Sequence, residues 1–200
     1  MNGIARIATA GLLLLVAGCA TMGGGVPEAT PFELVGRVLV RTGDHAFSSN
    51  LRWRHEAQAE QIWLLSPLGQ TLAYITEDGT GATLTAANGE VYHASSVAGL
   101  TQQALGWELP LAQLRYWVMG KPVPHEPAHT LQRDAENRLT YLTQDGYRVA
   151  WLYSQASKKD KLPRRLDLTG TGSEIRLVID NWRSRSAASP APAVPATHHD

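Results

Sequence analysis

His125-Glu126-Pro127-Ala128-His129 spells the H-E-x-x-H arrangement, in which two imidazoles hold zinc and a glutamate serves as general base. That chemistry needs a helix, because only a helix puts residues four apart on one face. Pro122, Pro124 and Pro127 crowd the same stretch, and a proline inside a helix costs about 3 kcal/mol. The segment therefore reads as an exposed loop, and no metal site is expected. There is no Gly-x-Ser-x-Gly elbow and no glycine-rich phosphate loop. Glu77-Asp78 is a carboxylate pair ahead of Gly79, which solvation at a turn explains. Lys158-Lys159-Asp160-Lys161 reads as a solvated loop, and His198-His199-Asp200 closes a Pro/Ala-rich terminus. The residues able to do chemistry thus argue against an enzyme and leave one exception, the sole cysteine, Cys19.

Cys19 follows Val16-Ala17-Gly18 at the end of a short apolar run, Ile7 to Ala17, itself preceded by Arg6. A charged start, an apolar stretch and small residues before a cut describe a secretory signal. The run is too short to span a bilayer, which takes about 20 apolar residues. With cysteine at the cut, the pattern resembles the bacterial lipoprotein signal. Residues 1–18 are then removed, and Cys19 becomes the first residue, carrying diacylglyceryl and acyl lipid. That covalent lipid is the only cofactor-like group expected. No thiol then remains for a disulfide, so stability must come from a hydrophobic core. Ala20, rather than Asp, follows the cysteine. In this signal class that implies passage to the outer membrane of a Gram-negative bacterium, with the domain facing the periplasm.

Composition indicates one ordinary domain. Eighteen basic residues balance eighteen acidic ones, with no basic stripe, so nucleic-acid binding is not expected. Residues 19–31 contain Gly23-Gly24-Gly25 and two prolines and read as a flexible tether. Residues 183–200 read as a disordered Pro/Ala-rich tail, whose removal should leave folding intact. The folded domain is 32–182, expected as a monomer.

Most of that domain alternates apolar and polar residues with period two, the mark of half-buried antiparallel strands. Phe32, Leu34, Val38 and Val40 alternate with Glu33, Arg37 and Arg41, and Phe47, Leu51 and Trp53 with Ser48, Asn50, Arg52 and Arg54. Asn88-Gly89, Asp145-Gly146 and Gly170-Thr171-Gly172 mark hairpin turns. About eleven short strands result. Two helices interrupt them: Val97 to Leu105, with Ser95-Ser96 as caps and Gly106 as stop, and Pro110 to Met119, with proline at the first helical position. The fold class is mainly β, and two amphipathic helices inserted among antiparallel strands suggest a lid on an open barrel.

Several short motifs occur in a fixed order: Phe32-Glu33-Leu34-x-Gly36-Arg37, Leu51-Arg52-Trp53, Ser66-Pro67-Leu68-Gly69, Leu105-Gly106-Trp107-x-Leu109-Pro110-Leu111, Leu114-x-x-Trp117-Val118-x-Gly120, Leu162-Pro163 and Ile179-Asp180-x-Trp182. Behind Cys19, this order resembles the LolB family, outer-membrane receptors for lipoproteins, over essentially the whole folded domain. The resemblance implies an incomplete antiparallel β-barrel capped by helices around an apolar cavity. It also implies two partners, a LolA-like periplasmic carrier and the acyl chains of lipoprotein cargo, and delivery into the inner leaflet of the outer membrane. Inward positions that could line the cavity are Phe47, Leu51, Trp53, Ile62, Leu64, Leu72, Tyr74, Leu84, Trp117 and Ile179. Pro67, Leu68 and Gly69 occupy the family's membrane-insertion loop, with Leu68 as its hydrophobic residue. From the residues alone, Leu68 could equally be a scattered surface apolar residue. Alternating apolar residues could equally fill a solid core. Two rivals stand beside this reading: a cell-envelope lipid-binding lipoprotein that passes nothing onward, and an enzyme using the histidine loop.

Overall fold

The computed structural model describes residues 29–154, 161–170 and 172–183. The signal, Cys19, most of the tether, Lys158-Lys159-Asp160 and the Pro/Ala-rich tail lie outside the described residues.

Eleven antiparallel strands form one open sheet, in the order β6-β5-β4-β3-β2-β1-β11-β10-β9-β8-β7. The long strands sit in the middle: β1 (Phe32–Thr42), β2 (His45–Glu56) and β11 (Ser173–Arg183). On one side follow β3 (Ala59–Leu65), β4 (Thr71–Asp78), β5 (Gly81–Ala86) and β6 (Val91–Ala94). On the other are β10 (Arg165–Gly170), β9 (Tyr147–Leu152), β8 (Leu139–Gln144) and β7 (Ala128–Arg133). Strands consecutive in sequence pair with one another, except β6 and β7, which the helices separate, and the two halves are joined by the long-range pairing of β1 with β11. The sheet is not closed; β6 and β7 are its edges.

Helices α1 (Val97–Leu105) and α2 (Leu111–Trp117) sit between β6 and β7 in sequence and fill the concave side. Helix α1 has the expected bounds. The Ser96 hydroxyl accepts from the Gly99 N–H, and Gly106 ends the helix at φ 78°, a conformation that suits glycine. In α2, Pro110 stands just outside the helix, at φ −77° and ψ 64°, and Leu111 is the first helical residue. The expected helix through Met119 is shorter because Val118 to Gly120 form a tight turn.

The concave face is the core. Leu34, Trp53, Ile62, Ile75, Leu142, Val149, Leu166 and Ile179 are buried there, together with Val97, Leu100, Leu114 and Trp117 from the helices. Gly36 marks the closest approach at the central seam. A β-bulge falls between Val35 and Gly36, and a Cβ on Gly36 would stand 2.1 Å from the Val178 carbonyl oxygen. Only glycine lets β1 and β11 meet there. The domain is also wider than its apolar pattern. Ala29 is buried, and Arg183 pairs with Glu33 in the sheet.

Two outcomes follow. Gly36→Ala should destabilise the domain by about 2–4 kcal/mol, seen as a lower urea midpoint, because the added methyl must push the central strands apart. Burial pushes the Tyr153 phenol up to about 12, whereas the unfolded chain ionises near ~10. The unfolded state thus loses this proton first, so stability should fall as pH rises through that window. In thermal melts at graded pH, Tyr153→Phe should lack that part of the alkaline decline.

Candidate functional site

An apolar cavity lies between the central strands and the helices. From the sheet it is lined by Val38, Val40, Phe47, Leu51, Trp53, Ile62, Leu64 and Ile75, with Ile175 and Leu177 from β11. From above it is closed by Thr101, Leu105, Trp107, Leu109, Leu111 and Leu114. Its empty volume is ≈ 620 Å³, counting the space at its open mouth. Two lining residues at the mouth stay partly exposed, Phe47 at 38% and Leu105 at 47%.

Five of the ten positions expected to line a cavity do so: Phe47, Leu51, Trp53, Ile62 and Leu64. The other five do not. Leu72 and Tyr74 lie on the outer face. Ile62 pairs with Ile75, and Trp63 with Tyr74; Tyr74 stacks on Trp63, centroids 5.0 Å apart. Strand β4 carries apolar residues on both faces, and its pairing with β3 turns Ala73 and Ile75 inward. Leu84, Trp117 and Ile179 are buried in the core away from the cavity. There the helices pack directly onto the sheet. Trp117 meets Tyr147 edge-on at 5.6 Å, and its indole N–H donates to Gln144 Oε1 at 3.1 Å.

The cavity ceiling had a weaker signal. Leu105, Trp107 and Leu109 alternate with Gly106 and Glu108 between the two helices, which is an inward-facing pattern in a connection. Thr101 holds this connection down: its hydroxyl accepts from the Leu109 N–H at 2.8 Å and donates to the Ala98 carbonyl.

Polar groups are kept out of the cavity and gathered at two places on the same concave face. At one end Glu60, almost fully buried, accepts from the Trp53 indole N–H at 2.7 Å and lies 2.7 Å from His55 Nδ1. His55 Nε2 stands 3.2 Å from the Ala29 carbonyl oxygen. A carbonyl only accepts, so Nε2 is the donor in that contact. Arg115 of α2 reaches Glu60 at 3.6 Å and Glu77 at 3.9 Å. The other Glu77 oxygen accepts from the Val97 N–H, the first of α1, at 2.8 Å. On the opposite half of the sheet, buried Gln144 binds both faces of the turn after α2. Its Oε1 accepts from Val123 N–H, and its Nε2 donates to the Val123 and Glu126 carbonyls. Trp151 donates to the Trp117 carbonyl at 2.6 Å. Neither cluster was legible in the sequence, because Glu60 and Gln144 stand at inward positions of otherwise ordinary alternating strands.

The H-E-x-x-H segment is a turn leading into β7, with His125 at φ 61°. The prolines have the effect expected of them, and the two imidazoles do not share a helical face. Among the described residues, no three His, Cys, Asp or Glu side chains come together as a metal site. Leu68 sits at the tip of the β3–β4 turn and is 89% exposed. The turn is held from behind by Gly69 N–H to the Ser66 carbonyl and Ser66 N–H to the Gln70 carbonyl. Gly69 supplies the positive φ of 83°. A large apolar side chain is thus fixed outward on a rigid tip.

Similarity to known proteins runs over the same span. Residues 30–182 match the family model described as "Outer membrane lipoprotein LolB". An outer-membrane lipoprotein LolB of Thiobacillus denitrificans is 37% identical over 190 residues, 92% of this chain and 99% of that protein. One from Nitrosomonas europaea is 37% identical over 163 residues, 80% of this chain and 76% of that protein. A third, from Cupriavidus pinatubonensis, is 40% identical over 151 residues, 70% and 72% of the two chains.

The buried carboxylate gives a test. Trp53→Phe keeps the ring packing against Phe32 but removes one donor to Glu60. A stability loss of about 1–3 kcal/mol is expected in urea unfolding.

Proposed function

The chain belongs to the LolB family of outer-membrane lipoproteins, and from that premise we propose that its cavity takes acyl chains of other lipoproteins from a LolA-like periplasmic carrier and releases them into the inner leaflet of the outer membrane. Its place is the outer membrane, its role lies in lipoprotein localisation, and it is not an enzyme. The proposal concerns how it acts: lipid-anchored at Cys19, facing the periplasm, as a monomer.

The observation that carries the reading is the pairing of a wholly apolar cavity with an outward leucine beyond its mouth. Each methylene moved out of water gains about 0.8 kcal/mol, so a chain of some fifteen methylenes is worth ~12 kcal/mol. Free passage through water is therefore too slow to serve, and the chain must move between apolar surfaces in contact. Lining β1–β4, β11 and the helical ceiling with aliphatic and indole surface supplies such a surface. No nucleotide-binding motif is present in the sequence, so transfer runs down a gradient of affinity from carrier to receptor to bilayer. Leu68 enters the bilayer and opens the last step. The rival reading, a lipid-binding protein that hands nothing on, shares the cavity but gives Leu68 no task.

Leu68→Glu should leave stability within about ±0.5 kcal/mol, as for other exposed sites. It should still accept a labelled lipoprotein from a loaded carrier but fail to deliver it to vesicles. Equal delivery by both proteins would remove Leu68 from the mechanism. If label never leaves the carrier for the unsubstituted protein while that protein still binds free lipid, the lipid-binding rival is correct.

A further inference from the structure

The two halves of the sheet differ in charge. From Gln61 to Trp107, the stretch that holds β4 to β6, α1 and nearly all of β3, there is no Lys or Arg, and the acidic residues are Glu77, Asp78 and Glu90 alone. Glu77 and Asp78 close β4 at the end where the Glu60 cluster seals the core. Both have partners, Glu77 the Val97 N–H and Asp78 the Thr80 N–H. The outer face changes character at β2, whose Arg52 and Arg54 bind Glu33. Beyond them, Trp63 and Tyr74 stack where charges would otherwise stand. The other half carries ion pairs instead: Arg138 with Asp134, and Arg165 and Arg176 sharing Asp167.

Apolar exposure follows the same division. Among the described residues seven large apolar side chains are exposed, and five of them, Phe47, Leu68, Leu72, Val91 and Leu105, gather at the mouth end. Singly, such residues are ordinary; five together beside a nearly uncharged half form a surface. Val91 shares the outer face with Leu72, since it pairs with Thr85, which pairs with Tyr74. The tips of the β3–β4 and β5–β6 hairpins are tied side by side, because the Ala87 N–H donates to the Leu72 carbonyl at 2.9 Å. Glu90, the charge at this end of that half, accepts from the Tyr92 hydroxyl at 3.0 Å. Tyr92 pairs with Leu84 on the concave side, away from Val91.

We propose that a lipid bilayer covers this surface: the β3–β4 and β5–β6 tips enter it together, Leu72 and Val91 beside Leu68, and the domain leans on its β3–β6 half so that the cavity mouth at Phe47 and Leu105 meets the membrane. This rests on the reading of Leu68 given above and extends it from one side chain to a face. A bilayer is the fitting occupant because carrying a charge into hydrocarbon is costly, and the tips that would enter carry only Glu90, turned to the concave side. A protein partner would be matched by a polar and charged rim, for which this half offers no Lys or Arg. Lacking basic residues, the contact draws nothing from anionic headgroups. It should therefore form on neutral phospholipid and ignore salt.

The test uses the full lipidated protein in neutral phosphatidylcholine vesicles with brominated acyl chains. Cys19 is the only cysteine and, on the reading above, carries lipid, so Gln70→Cys, Val91→Cys and Leu152→Cys each give one site for a bimane label. Leu152 is the matched control, exposed and apolar like Val91 but on the other half. Quenching should be several-fold stronger at the Gln70 and Val91 sites than at the Leu152 site, and unchanged by added salt. In the Gln70→Cys protein, Val91→Glu should reduce quenching several-fold and Leu152→Glu should not, with equal urea midpoints showing that both variants are folded. Quenching at the Gln70 site with none at the Val91 site would overturn the proposal and leave Leu68 a lone probe. So would quenching that salt abolishes, since the charged half would then be the one attached. A Val91 label silent on vesicles but shifted by added carrier would assign the face to the carrier instead. Absence of quenching at the Gln70 site would overturn the Leu68 reading itself.

Discussion

An apolar cavity survives in a folded protein only if the surrounding chain is prevented from collapsing into it, because close packing is favourable and empty space costs stability. Here the restraint is polar. The Glu60 cluster ties β2, β3 and the incoming chain at Ala29 together and reaches α2 through Arg115. Gln144 and Trp151 fasten the end of α2 and the turn after it to the far half of the sheet. Pinned on both sides, α2 does not settle further into the concave face. A buried carboxylate or amide is costly when any of its groups is unpaired, so these clusters resist small displacements that pure hydrocarbon contacts would tolerate. The cavity occupies the stretch between the two anchorages.

This division also explains why half of the expected lining residues are elsewhere. Alternation identifies an inward face but does not say whether a helix presses against it. Trp117 and Ile179 are as apolar and as inward as Leu51 and Ile62, yet they are packed solid while Leu51 and Ile62 face a void. The difference lies in where α2 is pinned, which depends on contacts between residues far apart in sequence. Strand β4 shows a second limit. With apolar residues on both faces, its parity follows from the pairing of Ile62 with Ile75, not from its own pattern. By contrast, α1 and the hairpin turns were readable, because capping residues, glycines at positive φ and short connections act locally. The exposed Leu68 was readable for the same reason: Pro67 and Gly69 define its turn.

The helical ceiling differs from its supports. Helix α1 is fixed at its first turn by Glu77 and by Thr101 to the segment beyond it, but its last residue, Leu105, is left half-exposed at the mouth. Attachment is thus strongest at the sealed end and weakest near the mouth. That gradient suits a site whose occupant enters and leaves by one route.

The β1–β11 seam carries a consequence for how the molecule comes into being. These strands lie at the middle of the sheet but at opposite ends of the folded sequence, with Glu33 opposite Arg183. Two meanders, β1 to β6 and β7 to β10, can each form from local hairpins as the chain emerges. Their union waits for the final residues, since β11 joins β1 to β10. Such distant pairings slow folding. Until β11 arrives, β1 is an unpaired edge, and edges of this kind invite aggregation. The newly made chain is therefore most vulnerable just before its last strand is in place, and a truncation within β11 would leave that vulnerability permanent.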